Sequence, residues 1–162
     1  MTLDEFLGIG KTEILGHHTF TAEEIKRFAA KYDPQRFHLD EEIAKASILG
    51  GLCASGWHSA CMWMRYNVLA GRTVEPDEWS GPGPCPSFGP SPGICDLKWL
   101  QPIYAGQTIT FSRTGLEHDP HPDQPGWRVL SVRAEALDAA GKCLLHFIWS
   151  VTVDTSGGAG PA

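Results

Sequence analysis

Two side chains in the stretch "KYDPQRFHLDEE", residues 31–42, are of the types that move protons at neutral pH: Asp33 and, five positions on, His38. A carboxylate is ionised there, and an imidazole with its ordinary pKa of about 6.5 takes up and releases a proton readily. Together they could divide acid–base work on a substrate. A plain reading stands beside this one. Asp33, ahead of Pro34, could simply end a helix, and His38 could be a surface imidazole, since Asp and His at this spacing are in themselves an unspecific pair. The elements on either side must decide whether the two side chains meet beside a pocket.

Residues 13–20, "EILGHHTF", predict a short strand. Thr21 and Glu24 then form the T-x-x-E pattern of a capping box, so a helix starts there. Its apolar positions Ile25, Phe28 and Ala29 share one face, and Pro34 stops it just after Asp33. Residues 40–47, "DEEIAKAS", predict a second short helix with acidic residues in its first turn, where the helix dipole favours them. Residues 50–70 carry one full charge, Arg65, and apolar residues on every side, which predicts a helix buried all round. Small residues (Gly50, Gly51, Ala54, Ser55, Gly56, Ser59, Ala60) crowd its first half and permit close backbone approach, and Gly71 suits its C-terminal cap. Residues 72–92 are dense in Pro and Gly and predict a surface loop, either a lid or a spacer. Strands are predicted at 94–101, 107–117, 127–137 and 143–153, with turns at 118–126 and 138–142. In the last strand Cys143, Leu145, Phe147, Trp149, Val151 and Val153 alternate with Leu144, His146, Ile148, Ser150 and Thr152, the period of a strand with one buried face. One sheet face packed on one apolar helix satisfies both surfaces, so the fold class is α+β.

At 162 residues the chain fits one domain, placed at 1–154, with "TSGGAGPA" (155–162) as a disordered tail. A composition 42% hydrophobic and 20% charged is that of a folded protein. The net charge of -6, without a basic run, gives no electrostatic footprint for nucleic acid. The N-terminus "MTLDEFLGIGKTE" does not read as a secretory signal, and no window is apolar enough to cross a membrane, so a cytoplasmic location is expected with no membrane partner. Five cysteines without a C-x-x-C pair argue against a disulfide framework or a zinc ribbon, and Cys61 and Cys143 read as small core residues. No dinucleotide, P-loop or serine-hydrolase motif is present. His17 and His18 should split between the two faces of their strand, and His58 reads as a hydrogen-bonded core residue. His118 and His121, with Asp119 and Asp123, read as a solvated turn and not as metal ligands. Trp57, Trp63, Trp99 and Trp149 read as core or dimer packing.

A helix leading into Asp33-Pro34-Gln35-Arg36-Phe37-His38 with Asp40 beyond, then "GGLCASGWHSACMW" and "LKWLQPIYAGQTITF", resembles the MaoC-like acyl dehydratases, which include the (R)-specific enoyl-CoA hydratases. The family's Asp-x-Asn-Pro-x-His keeps its Asp and His here, with Gln35 in place of Asn and Arg36 in place of Pro. In the "RW-x-x-PV-x-x-GD" strand pair Gln107 replaces the Asp, and the turn glycine, Gly106, is retained. The resemblance, over about residues 13–153, implies a hot-dog fold, a curved antiparallel sheet wrapped around a long central helix and commonly a homodimer. It implies reversible addition of water to a trans-2-enoyl-CoA thioester in fatty acid metabolism. Such a reaction needs a base for water, an acid for the α-carbon and donors for the thioester oxygen. The resemblance assigns Asp33 and His38 as the catalytic pair, His38 activating water and Asp33 positioning it and exchanging the α-carbon proton, with the roles exchangeable. Gly56, whose backbone N–H starts the apolar helix, is the oxyanion donor, and Ser55 and Trp57 line the pocket. No metal or organic cofactor is implied, coenzyme A being part of the substrate. Two alternatives remain at this point: a thioesterase on the same fold, and a non-catalytic acyl-binding module.

Overall fold

The long apolar run must cover itself with a sheet, and Trp63 is where it does so most completely. In the computed structural model, which describes residues 1–71 and 76–157, Trp63 is fully buried. Its ring meets Phe147 edge-on at 4.9 Å, and its Nε1–H donates to the carbonyl of Ser112 at 2.8 Å. It lies on the helix α5 (Gly56–Ala70), preceded by α1 (Leu3–Leu7), β1 (Thr12–Thr19), α2 (Ala22–Tyr32), α3 (Arg36–Leu39) and α4 (Glu41–Ala46). After α5 come a 3-10 turn (Pro76–Glu78) and the strands β2 (Ser87–Phe88), β3 (Gly93–Trp99), β4 (Thr108–Pro120), β5 (Trp127–Leu137) and β6 (Cys143–Asp154). The strands form one curled antiparallel sheet in the order β1-β4-β5-β6, with β2 and β3 both pairing with β6. This is the hot-dog fold. A core of Leu15, Phe20, Ile109, Phe111, Leu145 and Phe147 joins the sheet to α5.

The sequence readings hold for β1, α2, α4 and the last three strands, and several details differ. The apolar helix starts at Gly56 and not at 50, because residues 52–54 are drawn into β-like pairing: Ala54 N–H donates to Ile103 O and Ala105 N–H to Leu52 O, around a bridge between Cys53 and Tyr104. Within this one chain α5 is not buried all round, since Trp57, Cys61, Val68 and Leu69 form an exposed stripe along one side. Cys61 is therefore exposed and Cys143 only half-buried, and neither is the core residue expected. In β6 the alternation holds for Leu145, Phe147, Val151 and Val153, while Leu144 and Thr152 on the other phase are buried too.

An N-terminal helix and one strand pairing were not anticipated. Helix α1 is five residues long, closed by a complete capping box at Thr2 and Glu5, too short to show periodicity. Phe6 and Leu7 bury against Leu130, Val132, Val151 and Val153. Strand β4 runs on to Pro120, so His118 is not part of a solvated turn: it bonds Asp4 Oδ1 at 2.8 Å and accepts from Arg128 Nε. Of the Pro/Gly-rich stretch, residues 72–75 lie outside the described residues, and Ser87 and Phe88 pair with β6. The expected disordered tail lies outside them from residue 158 onward. Among the described residues no helix is long and apolar enough to cross a membrane.

Trp63→Ala should lower the unfolding free energy by about 3–5 kcal/mol, the usual result of deleting a large buried ring. Urea unfolding reads this directly, and a loss below about 1 kcal/mol would mean that another contact anchors α5.

Candidate active site

Helix α2 ends where Pro34 forbids its continuation, and its C-cap is Asp33. The connection beyond Pro34 is not irregular. The four residues Arg36–Leu39 close a single helical turn, which faces the imidazole of His38 inward, only 5% exposed. His38 Nε2 then stands 3.5 Å from Asp33 Oδ2. The other ring nitrogen, Nδ1, lies 2.7 Å from the backbone carbonyl of Cys53. A carbonyl only accepts, so Nδ1 carries the hydrogen, and in the neutral ring Nε2 presents a lone pair towards the carboxylate.

The two oxygens of Asp33 are held separately. Gln35 Nε2 donates to Oδ1 at 2.8 Å and the Ser55 hydroxyl to Oδ2 at 2.6 Å. Burial pushes the Asp33 carboxyl up, but the bonds from Ser55 and Gln35 and the nearby His38 outweigh it, leaving the carboxyl below its ordinary value of 3.8. Asp33 is a fixed anion. Ser55 is also the N-cap of α5, yet its side chain makes no capping bond. Its hydroxyl is committed to Asp33, so the first N–H groups of α5, at Gly56 and Trp57, have neither a side-chain cap nor an intrahelical acceptor.

These groups border a cavity of about 500 Å³. Asp33, Gln35, His38 and Gly56 contribute to its polar lining, and Phe37, Leu49, Trp57, Trp99, Leu100 and Ile103 to its apolar lining. The sequence-derived residues Asp33, His38, Gly56 and Trp57 thus line one cavity, and Ser55 adjoins it through Asp33. Trp57 is 53% exposed and Trp99 44%, so neither is a core residue, whereas Trp63 is and Trp149 packs half-buried against it. Three contributors were not read from the sequence: the Cys53 carbonyl, Gln35 as a clamp, and Trp99 as a cavity wall. A backbone carbonyl has no sequence signal. Trp99, within "LKWLQPI", could have been placed by its position just ahead of the chain crossing at Ile103. The Cys53 thiol lies 3.9 Å from His38 Nδ1, but burial pushes its pKa up and it is no thiolate nucleophile at neutral pH. Among the described residues no cluster of His, Cys, Asp and Glu could hold a metal ion.

A MaoC-like dehydratase from Rhodospirillum rubrum superposes on the chain with a TM-score of 0.78 at 30% identity, covering 96% of this chain and 97% of its own. The chain belongs to the MaoC-like dehydratase family. Two more distant structures share the MaoC-like architecture. The (R)-hydratase from A. caviae is 18% identical with a TM-score of 0.59, over 90% of this chain and 95% of its own. The 3R-hydroxyacyl-ACP dehydratase complex from Mycobacterium tuberculosis is 12% identical with a TM-score of 0.69, over 90% of this chain and 96% of its own. At these identities the likeness speaks for the fold alone. No protein-family model and no curated protein matches this MaoC-like chain.

The remaining histidines lie outside the cavity of this MaoC-like site. His17 is exposed and His18 half-buried, on opposite faces of β1 as expected. His58 is buried, stacked on Phe28 at 4.4 Å, but it is not the hydrogen-bonded residue expected, since among the described residues Nδ1 has no partner and Nε2 is 3.8 Å from Glu24 Oε1. Glu24 is engaged by His18 at 2.5 Å, which is why only the Thr21 half of the predicted capping box forms. Burial pushes the His58 pKa down from 6.5 to about 4. The unfolded chain therefore binds a proton first as pH falls, so stability is complete above about 6.5 and is lost progressively down to about 4. Between pH 7 and pH 5 this should remove about 1–2 kcal/mol from the native protein and not from His58→Leu. Chemical unfolding at the two pH values checks it; equal losses in both proteins would contradict the assignment.

Proposed function

We propose that the chain is a hydratase that adds water reversibly to a trans-2-enoyl thioester. The observation that carries the reading is the pairing of a fixed carboxylate with an imidazole lone pair 3.5 Å away, beside an apolar cavity and the uncapped N–H groups of α5. A water molecule on the cavity side of the pair, within reach of both Asp33 Oδ2 and His38 Nε2, can donate a hydrogen to each, which turns its own lone pairs towards the cavity. His38 takes a proton as the water oxygen bonds to the β-carbon. The π electrons move towards the thioester, whose oxygen gathers the negative charge and is met by the Gly56 N–H. His38 then returns the proton to the α-carbon as the enolate collapses, so atoms and charge balance. Asp33 holds the water and stabilises the imidazolium. Because its carboxyl sits below its ordinary value, it is a poor proton donor, which favours giving both proton steps to His38 over the division of roles that the resemblance implied. The apolar wall suits the acyl chain, and membership of the MaoC-like dehydratase family supports the reaction class.

The assay is crotonyl-CoA followed by enoyl absorbance and free thiol together. Loss of absorbance without thiol is the expected result; thiol release would make the protein a thioesterase instead. His38→Ala should lower kcat by about 10²–10⁴ with the fold retained, and unchanged turnover would contradict the mechanism.

A second copy of the chain completes this reading. Among the described residues strand β3 pairs only with β6, and nearly all of it is exposed; Ile94 leaves apolar surface bare along the strand, as do Trp99 and Leu100 beside the cavity. Such an edge invites pairing unless it is covered. A homodimer is expected in sedimentation, and Ile94→Asp should shift it to monomer. A wild-type protein that sediments as monomer at micromolar concentration would contradict this.

A further inference from the structure

The cavity contains a hydrogen-bond donor that the mechanism above leaves unused. Trp99, at the end of β3, lines the cavity, and among the described residues its Nε1–H has no hydrogen-bond partner; its ring contact is with Trp57, edge-on at 5.1 Å. The indole lies directly against Gly56. A Cβ added at Gly56 would stand 2.5 Å from Trp99 Cε2 and 2.6 Å from Nε1, closer than any real side chain tolerates. The face of the pyrrole ring therefore occupies the space that a side chain would take at the first residue of α5, which brings the indole nitrogen close to Gly56. Gly56 is glycine because the indole of β3 is seated against it, so helix-to-sheet packing itself sets Trp99 beside the first N–H of α5.

We propose that the Trp99 indole N–H is a second donor to the thioester oxygen, acting beside the Gly56 backbone N–H. This rests on the reading of the cavity as a thioester site. The oxygen of an enolate accepts more than one hydrogen bond, and a single backbone N–H leaves part of its charge unmet. An indole N–H suits the second position because it donates and cannot accept, so it does not compete with His38 for the water's protons. Its flat apolar body also continues the wall formed by Leu100 and Ile103, so a charge-stabilising donor is supplied without a further ionisable group in the cavity. Trp99 would thus be a catalytic residue contributed by the sheet, lining the same cavity as the Asp33–His38 pair contributed by the helical segment.

The test uses Trp99→Phe in the full chain, which retains an aromatic ring in β3 beside Gly56 and removes the N–H donor, and the indole resonance of the wild-type protein reads the N–H separately from the lost ring volume. Hydration of crotonyl-CoA should fall roughly a hundredfold in kcat, with KM changed less than about threefold, and with the unfolding midpoint kept. Independently of turnover, the ¹H–¹⁵N indole signal that Trp99→Phe deletes should move downfield when the wild-type protein is saturated with butyryl-CoA, an unreactive saturated thioester. A signal that stays in place, or a Trp99→Phe protein with wild-type turnover, overturns the proposal while His38-dependent hydration leaves the function standing. A downfield shift in a protein that does not hydrate crotonyl-CoA upholds Trp99 as a thioester donor and removes the hydratase reading.

Discussion

The hydrogen bond from His38 Nδ1 to the carbonyl of Cys53 is the contact on which the site depends. It determines which nitrogen of the ring is free, and so whether Asp33 faces a lone pair or an N–H. That carbonyl is itself held by structure. Residues 52–54 are pulled into β-like pairing with residues 103–105, the connection between β3 and β4. The orientation of an imidazole at one end of the helical segment is therefore tied to the sheet through a short run of backbone bonds that belongs to neither.

Ser55 couples helix and site in a similar way. An N-cap serine usually offers its side-chain oxygen as acceptor to the helix N–H groups, a contribution of about 1 kcal/mol. Here the hydroxyl turns to Asp33, and the helix starts without that cap. This one choice has two results: the carboxylate is held as an anion, and the helix N–H groups are left for a ligand. Local rules are commonly broken where function needs it, and on the proposed function the broken cap at α5 is such a place. His58, one turn further on, is a different case. It is buried among aromatic rings with an unpartnered nitrogen, and its penalty falls on acid stability and not on the cavity.

Much of the frame was legible in the chain itself. The capping threonine, Pro34 and the alternation in the last strand are local signals, and local signals survive folding. The motif positions Asp33 and His38 were legible as a pair through the family pattern that they match between a helix and the apolar run, since the spacing is unspecific in itself. The features that could not be read depend on contacts distant in sequence. The exposed side of α5, with Trp57, Cys61, Val68 and Leu69, has the composition of a core face, and composition does not tell a core from an interface between copies. Helix α1 was invisible because five residues are too few to display a period. Trp99 read as packing because an indole in an apolar strand usually is, and its place in the cavity wall against Gly56 emerges only from the fold. The clamp of Gln35 on Asp33 also departs from the family's asparagine by one methylene, and the structure shows the longer amide still reaching the carboxylate, at 2.8 Å.

The tautomer of His38 can be observed without substrate. Long-range ¹H–¹⁵N correlation on the histidine-labelled protein, at a pH where its imidazoles are neutral, distinguishes a protonated Nδ1 from a protonated Nε2. His38 is expected to carry its hydrogen on Nδ1, leaving Nε2 bare opposite Asp33. A hydrogen on Nε2 would mean that the ring donates to the carboxylate and has no lone pair to offer a water molecule, and the mechanism built on it would fall.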